Sequence, residues 1–280
     1  MFSNYHTHTR FCDGADSPEE LVLEAIRLGC PEIGFSGHSH FNEDVCSMSE
    51  AGTLAYCEEI RRLQKKYEGS IRIRLGIEQD IFSEIDRSCF EYVIGAVHYV
   101  ETNGVRYAVD ESRESFLQTV REVYGGDCYA FAEDYYALVG SLRERTHCDV
   151  IAHFDLITKY NEGCCLFDTE HPRYRRAADA AMERLCLSDP HRDDERTALQ
   201  PLPSGQGTAA AAGSSVPCLL EINTGAMARG YRTEPYPEPR LTEKWLSMGG
   251  ELILSSDCHD RRKLLCGFEE AAHWPHREIL

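Results

Sequence analysis

Short apolar runs in this chain keep ending in residue types that bind metals. The first closes on His6-Thr7-His8, and later ones close on His38, Glu78, His98, His153, Glu221 and the Asp257-Cys258-His259 triplet. Runs this short and this apolar match strands buried on both faces. They predict strands at 2–8, 32–36, 71–78, 92–98, 149–153, 218–223 and 251–255.

Helical patterns lie between the runs. Ser17-Pro18-Glu19-Glu20 is a capping box with proline at the first helical position. Leu21, Val22, Ala25, Ile26 and Leu28 then form one apolar face, and Gly29 stops the helix. Further helices are expected at 49–66, 111–124, 132–145, 173–185, 241–246 and 261–272. Such β/α alternation allows a barrel or a doubly wound sheet. Ligand types at every strand end favour the barrel, in which all strand ends face one mouth. The expected architecture is α/β, a single domain over 1–280. Segment 188–216 breaks the rhythm with Asp, Arg, Pro, Gly, Ser and Ala, and reads as an insertion between a helix and the sixth strand.

Bulk properties narrow the function classes. The net charge of −18 and the lack of a basic stripe argue against a nucleic-acid partner. An anionic small substrate stays open, because bound divalent metals reverse the local potential. The N-terminus has neither a basic start nor an apolar core, so no signal peptide is expected. No apolar run approaches the ~20 residues of a membrane helix. A cytoplasmic protein without a membrane partner is the expectation. The thirteen cysteines are odd in number and form no C-x-x-C pair, so reduced thiols are expected.

His6 and His8 are two apart on a strand, so both imidazoles point to one side, ~6.6 Å apart at the backbone. Two ring nitrogens can then converge on one metal at ~2.1 Å. Asp257 and His259 repeat the spacing at the last strand. Glu78 supplies a carboxylate, which can bridge two metals where an imidazole normally cannot. Seven of the twelve histidines sit at strand ends: His6, His8, His38, His40, His98, His153 and His259. Accidental placement would scatter them over helices as well.

In this order, His6-Thr7-His8-Thr9, Gly37-His38, Gly76-Ile77-Glu78, Gly95-Ala96-Val97-His98, Ala152-His153-Phe154-Asp155 and Ser256-Asp257-Cys258-His259 resemble the polymerase and histidinol phosphatase (PHP) superfamily. Gly95 to Val100, Asp155 to Tyr160, Glu221-Ile222-Asn223-Thr224 and Tyr236-Pro237 look like its monofunctional histidinol-phosphate phosphatases. The resemblance implies a distorted seven-stranded (β/α)7 barrel of PHP type with three divalent metal ions, Zn, Mn or Fe. By motif, His6, His8, Glu78 and Asp257 would hold one metal. Glu78 would bridge to a second, completed by His98 and His153. A third would take His38, His259 and Asp13, with Asp16 as the alternative loop ligand. Gly37 stands where many members of the superfamily carry Asp. His40 is an extra histidine, for which a surface role is at least as good as ligation.

The implied reaction is hydrolysis of L-histidinol phosphate, a step of histidine biosynthesis, by a hydroxide bridging two metals. Glu78 and Asp257 are the expected catalytic groups, with Asp257 either shuttling a proton to the leaving oxygen or serving purely as a ligand. Arg229 and Lys159 are the candidates for phosphate, and Glu221 or Asp80 for the cationic leaving group, with orienting a ligand histidine an equal alternative for Glu221. Arg232 is expected to be a solvated surface charge. Action on nucleotides or other phosphomonoesters is the alternative.

Overall fold

In the computed structural model, residues 1–187 and 218–274 are described, together with 199, 201 and 202. The strands among them are β1 (Glu32–Phe35), β2 (Arg72–Asp80), β3 (Tyr92–Ala96), β4 (Tyr99–Thr102), β5 (Val105–Ala108), β6 (Val150–Ile151), β7 (Leu219–Asn223) and β8 (Glu251–Ser255). Six of them form one parallel sheet in the order β1-β2-β3-β6-β7-β8. β1, β3 and β7 are buried along their whole length, as the apolar runs require.

Residues 4–8 join the two edges of that sheet. Asn4 bridges to Ile33 on β1, and Thr7 bridges to Cys258 just beyond β8. Gly34 N–H donates to the Asn4 carbonyl (2.8 Å), and His8 N–H donates to the Cys258 carbonyl (2.8 Å). The chain thus closes into a distorted barrel whose seventh staves are these isolated bridges rather than a regular strand. The predicted strand at 149–153 shortens to the two residues of β6, Val150–Ile151, which pair with β3 on one side and β7 on the other.

Tyr92 crosses the interior because Gly34 and Gly76 leave space for it. A Cβ at either glycine would lie 2.3 Å from the tyrosine side chain. The Tyr92 hydroxyl donates to the Tyr5 and Phe35 carbonyls, tying β3 to the irregular first segment.

Helices pack outside the sheet. Pro18–Arg27 starts on the expected capping box and buries Leu21, Val22 and Ala25. Glu50–Lys66, Arg113–Glu122, Pro172–Leu187 and Pro239–Ser247 match their apolar patterns. Two expectations need correction. The helix expected at 132–145 is two helices, Cys128–Val139 and Leu142–Thr146, and the first begins early because the Asp127 carboxylate accepts from Tyr129 and Ala130 N–H. Segment 261–272 is not one helix but a turn at Arg261–Lys263 and a short helix at Phe268–Ala271, separated by Gly267 at φ 76°.

An antiparallel hairpin, β4 with β5, was not expected. Its turn is Asn103-Gly104, both in left-handed conformation (φ 54° and 76°), as a two-residue hairpin of this twist demands. Just past β5, Val109 N–H donates to the His98 carbonyl (2.9 Å), which pins the end of the hairpin beside the barrel mouth. The insertion expected at 188–216 lies outside the described residues, apart from Leu199, Pro201 and Leu202. No helix among the described residues is long and apolar enough to cross a membrane.

Candidate metal centre

Parallel strands deliver their C-terminal ends to one mouth, and the predicted residues meet there. His6 and His8 leave the first segment, Glu78 ends the apolar part of β2, and His98 and His153 follow β3 and β6. Asp257 and His259 follow β8, and His38 follows β1. Glu78 lies at the centre: its Oε2 is 2.9 Å from His38 Nδ1, 3.3 Å from His6 Nε2 and 3.5 Å from His8 Nε2. Its Oε1 is 3.1 Å from His153 Nε2 and 3.5 Å from His98 Nε2. Asp257 Oδ1 lies 3.1 Å from His8 Nε2 and 3.6 Å from His6 Nε2.

Of these contacts, that of His153 Nε2 with Glu78 Oε1 has hydrogen-bond geometry, but the atoms facing one another at the centre do not. His6 Nε2, His8 Nε2 and Glu78 Oε2 are fully buried and have no hydrogen-bond partner. Burying three polar atoms unsatisfied is costly, and native interiors avoid it. Two ligands held at ~2.1 Å in a tetrahedral shell sit about 3.4 Å apart. The 3.1–3.6 Å separations among His6, His8, Glu78 and Asp257 bracket that value. The donor set therefore fits divalent metal ions.

A second cluster gathers His8, Asp13, His38 and His259. Asp13 is 3.1 Å from His259, 3.6 Å from His8 and 3.7 Å from His38. Asp16, the alternative loop residue, is instead paired with the Arg261 guanidinium and backbone N–H. His38 takes part on both sides, through Nδ1 to Glu78 and Nε2 to Asp13. His40 is not in the cluster; its Nδ1 is 2.9 Å from the Met48 carbonyl. At Gly37 a Cβ would lie 3.3 Å from Cys12 Sγ and Met48 Cε, so glycine is what the packing admits with ease.

Electrostatics follow from burial and charge density. Burial alone would lower the pKa of His6, but the Glu221, Glu78 and Asp257 carboxylates raise it well above its usual value. His8 is pushed down to about 3, first by burial and then by His259 and His38, so its ring is neutral with a lone pair free. Burial would raise Glu78 and Asp257, yet both are held well below the carboxylate range. His6 and His38 do this for Glu78, and Arg229 and His6 for Asp257.

Around the mouth, Glu221 contacts histidines, the second of the two parts open to it: its Oε1 is 2.7 Å from His6 Nδ1, and its Oε2 accepts from His153 N–H and Asn223 Nδ2. Asp80 is likewise engaged, with Oδ2 accepting from His98 N–H and lying 3.1 Å from His98 Nδ1. Arg229 reaches the site, 2.9 Å from Asp257 and 3.2 Å from His259 Nδ1. Lys159 donates to the Asp110 carbonyl (2.8 Å) and carboxylate (2.9 Å). Arg232 is not a solvated charge: its guanidinium lies 4.7 Å over the Tyr236 ring and donates to Thr158. Asp110 was missed altogether; the Asn103-Gly104 turn signal upstream of it was available.

The PHP domain family model matches residues 4–190. The chain is a member of the PHP family. Among its relatives, a Schizosaccharomyces pombe protein named as a probable histidinol-phosphatase is 27% identical over 91% of this chain and 79% of its own length. A Deinococcus radiodurans protein of the same name is 24% identical over 95% and 89%. Solved structures share the PHP fold. The Listeria monocytogenes protein assigned as histidinol phosphatase HisK has a TM-score of 0.70 at 20% identity, covering 96% of this chain and 99% of that one. The Lactococcus lactis histidinol phosphate phosphatase, solved with zinc, L-histidinol and phosphate, has a TM-score of 0.65 at 19% identity, covering 99% and 93%.

Proposed function

We propose that this PHP protein is a metal-dependent phosphomonoesterase that hydrolyses L-histidinol phosphate to L-histidinol and phosphate. The observation that carries the metal requirement is the trio of buried, unpartnered atoms on His6, His8 and Glu78. The substrate is supported by similarity to histidinol-phosphatases over nearly the whole chain. The likeness to a fold solved with L-histidinol and phosphate agrees with it.

His6, His8, Glu78 and Asp257 would hold one divalent ion, Glu78 with His98 and His153 a second, and His38, His259 and Asp13 a third. Zn, Mn and Fe all suit such a His-and-carboxylate set. When bound, the metals supply Lewis acidity toward phosphate oxygens and acidify the attacking water. Arg229, a third exposed beside Asp257, is placed to bind a phosphate oxygen and to offset charge that builds in the transition state. Asp257, held ionised, can take the proton of the attacking water at Oδ2 and return it to the departing alkoxide. Glu221 and Asp80 fix the rings of His6 and His98.

The test is phosphate release from histidinol phosphate before chelation, after it, and after metal add-back. It is run beside glycerol phosphate and a nucleotide. Activity that survives complete metal removal would refute metal dependence. Equal kcat/KM on all three esters would replace the specific assignment with a general phosphomonoesterase.

A further inference from the structure

The substrate proposed above has two ends. Its phosphate belongs with the metals and Arg229. Its other end carries an amine and an imidazole, which need an acceptor and a flat apolar surface. Glu221 and Asp80, the acidic groups expected to serve, are both committed to metal-side histidines. A different carboxylate stands at the mouth.

Asp110 follows β5, one residue after the hairpin end is pinned to the His98 carbonyl through Val109 N–H. Its side chain is a quarter exposed. Lys159 donates to its Oδ2 and to its backbone carbonyl, and the Tyr160 hydroxyl donates to that carbonyl as well (2.8 Å). Oδ1 has no hydrogen-bond partner among the described residues. Beside it, the Tyr160 and Tyr231 rings meet edge to face, with centroids 5.5 Å apart, and Tyr231 is nearly half exposed. Tyr231 lies two residues beyond Arg229 in the chain.

The structure contains a cation in this place already. The Lys159 ammonium lies 5.2 Å from the Tyr231 centroid and 5.6 Å from that of Tyr160, while bonded to Asp110. Carboxylate and ring faces together are what stabilises a positively charged or strongly polar nitrogen group. With Lys159 on one oxygen, the carboxylate is oriented and the other oxygen is left to accept.

We infer that Asp110, with the Tyr160–Tyr231 pair, is the subsite for the imidazole-bearing end of the leaving alcohol, and that Lys159 is its positioning residue rather than a phosphate ligand. The inference rests on the proposed histidinol-phosphatase activity. A ring N–H donates to Asp110 Oδ1 while the ring packs on the exposed face of Tyr231. This subsite contributes discrimination between esters, not chemistry.

The test measures kcat/KM on histidinol phosphate and on glycerol phosphate for wild type, Asp110→Asn and Tyr231→Ala. Binding of L-histidinol by calorimetry, and inhibition by inorganic phosphate, are followed in parallel. The expected result is a fall of at least tenfold in the histidinol-phosphate to glycerol-phosphate ratio for D110N, and a smaller fall for Y231A. L-Histidinol affinity drops by a similar factor, with phosphate inhibition moving far less. Lys159→Ala should lower the same ratio; a large rise in the phosphate inhibition constant instead would return Lys159 to the phosphate. If wild type prefers histidinol phosphate and D110N prefers it equally, the subsite is overturned while the activity stands. If wild type shows no preference, the activity assignment fails and the subsite falls with it. A D110N variant that loses both esters alike, with a lowered melting temperature, would make Asp110 a structural residue and overturn the subsite.

Discussion

Glu221 Oε1 lies 2.7 Å from His6 Nδ1, and Glu221 Oε2 accepts the backbone N–H of His153. One buried carboxylate thus orients two proposed metal ligands from behind. With a metal on Nε2, this contact would leave the His6 proton on Nδ1, facing Glu221.

Glu221→Gln should therefore act on metal affinity. Losing such an outer partner typically costs 10–100-fold in affinity. Metal content at limiting metal should fall by about that factor, and activity should return as metal is raised. Plasma emission analysis together with activity against free metal checks this. A variant whose KM for substrate rises at saturating metal, with unchanged metal content, would return Glu221 to the substrate pocket.

Glu78 is within 3.5 Å of five imidazoles. Replacing it by Gln removes the central negative charge while preserving shape. Turnover should fall by at least ~10³-fold, the several kcal/mol expected when metal-based charge stabilisation is lost. Far-UV circular dichroism should be unchanged. Near-normal kcat would exclude a bridging role.

Much of the centre was legible because strand ends and ligand residues are coded together: an apolar run closing on His or Glu states both its burial and its exit point. His6, His8, Glu78, His98, His153, Asp257 and His259 converge for that reason. What was not legible depends on contacts between distant segments. Nothing local to Glu221 says that its partner is His6, 215 residues away. Lys159 finds its carboxylate 49 residues upstream, at a hairpin end. Arg232 looked solvated because a charged residue after a strand usually is, yet it stacks on Tyr236. The β4–β5 hairpin, by contrast, carried a readable signal in Asn103-Gly104, and the helix at Cys128 one in its Asp127 cap.

Asp13 and Asp16 are three residues apart but do different work. Asp13 faces His8, His38 and His259. Asp16 is buried against Arg261. Asp13→Asn should lower bound metal by about one ion per chain with little change in stability. Asp16→Asn should keep the metal count and lower stability, by roughly 1–3 kcal/mol, because it neutralises the buried carboxylate that accepts from the Arg261 guanidinium and backbone N–H. Metal analysis and urea denaturation separate the two. The reverse pattern would assign the loop ligand to Asp16.

Glu238 provides a pH handle away from the metals. Its side chain is one-fifth exposed, and its pKa is raised to about 7, chiefly by burial and then by the neighbouring Asp155 charge, against the pull of Arg240. An acid with a raised folded pKa binds its proton more tightly when folded. Its favourable contribution is therefore complete below the unfolded value near 4.5 and is lost as pH rises through about 7. Glu238→Gln removes the group that must ionise at a cost. The variant should match wild type near pH 4.5 and be more stable at pH 8, by on the order of 1–3 kcal/mol. Urea midpoints at the two pH values measure it. A stability difference that is the same at both would mean that Glu238 ionises in the folded protein as it does in the unfolded chain.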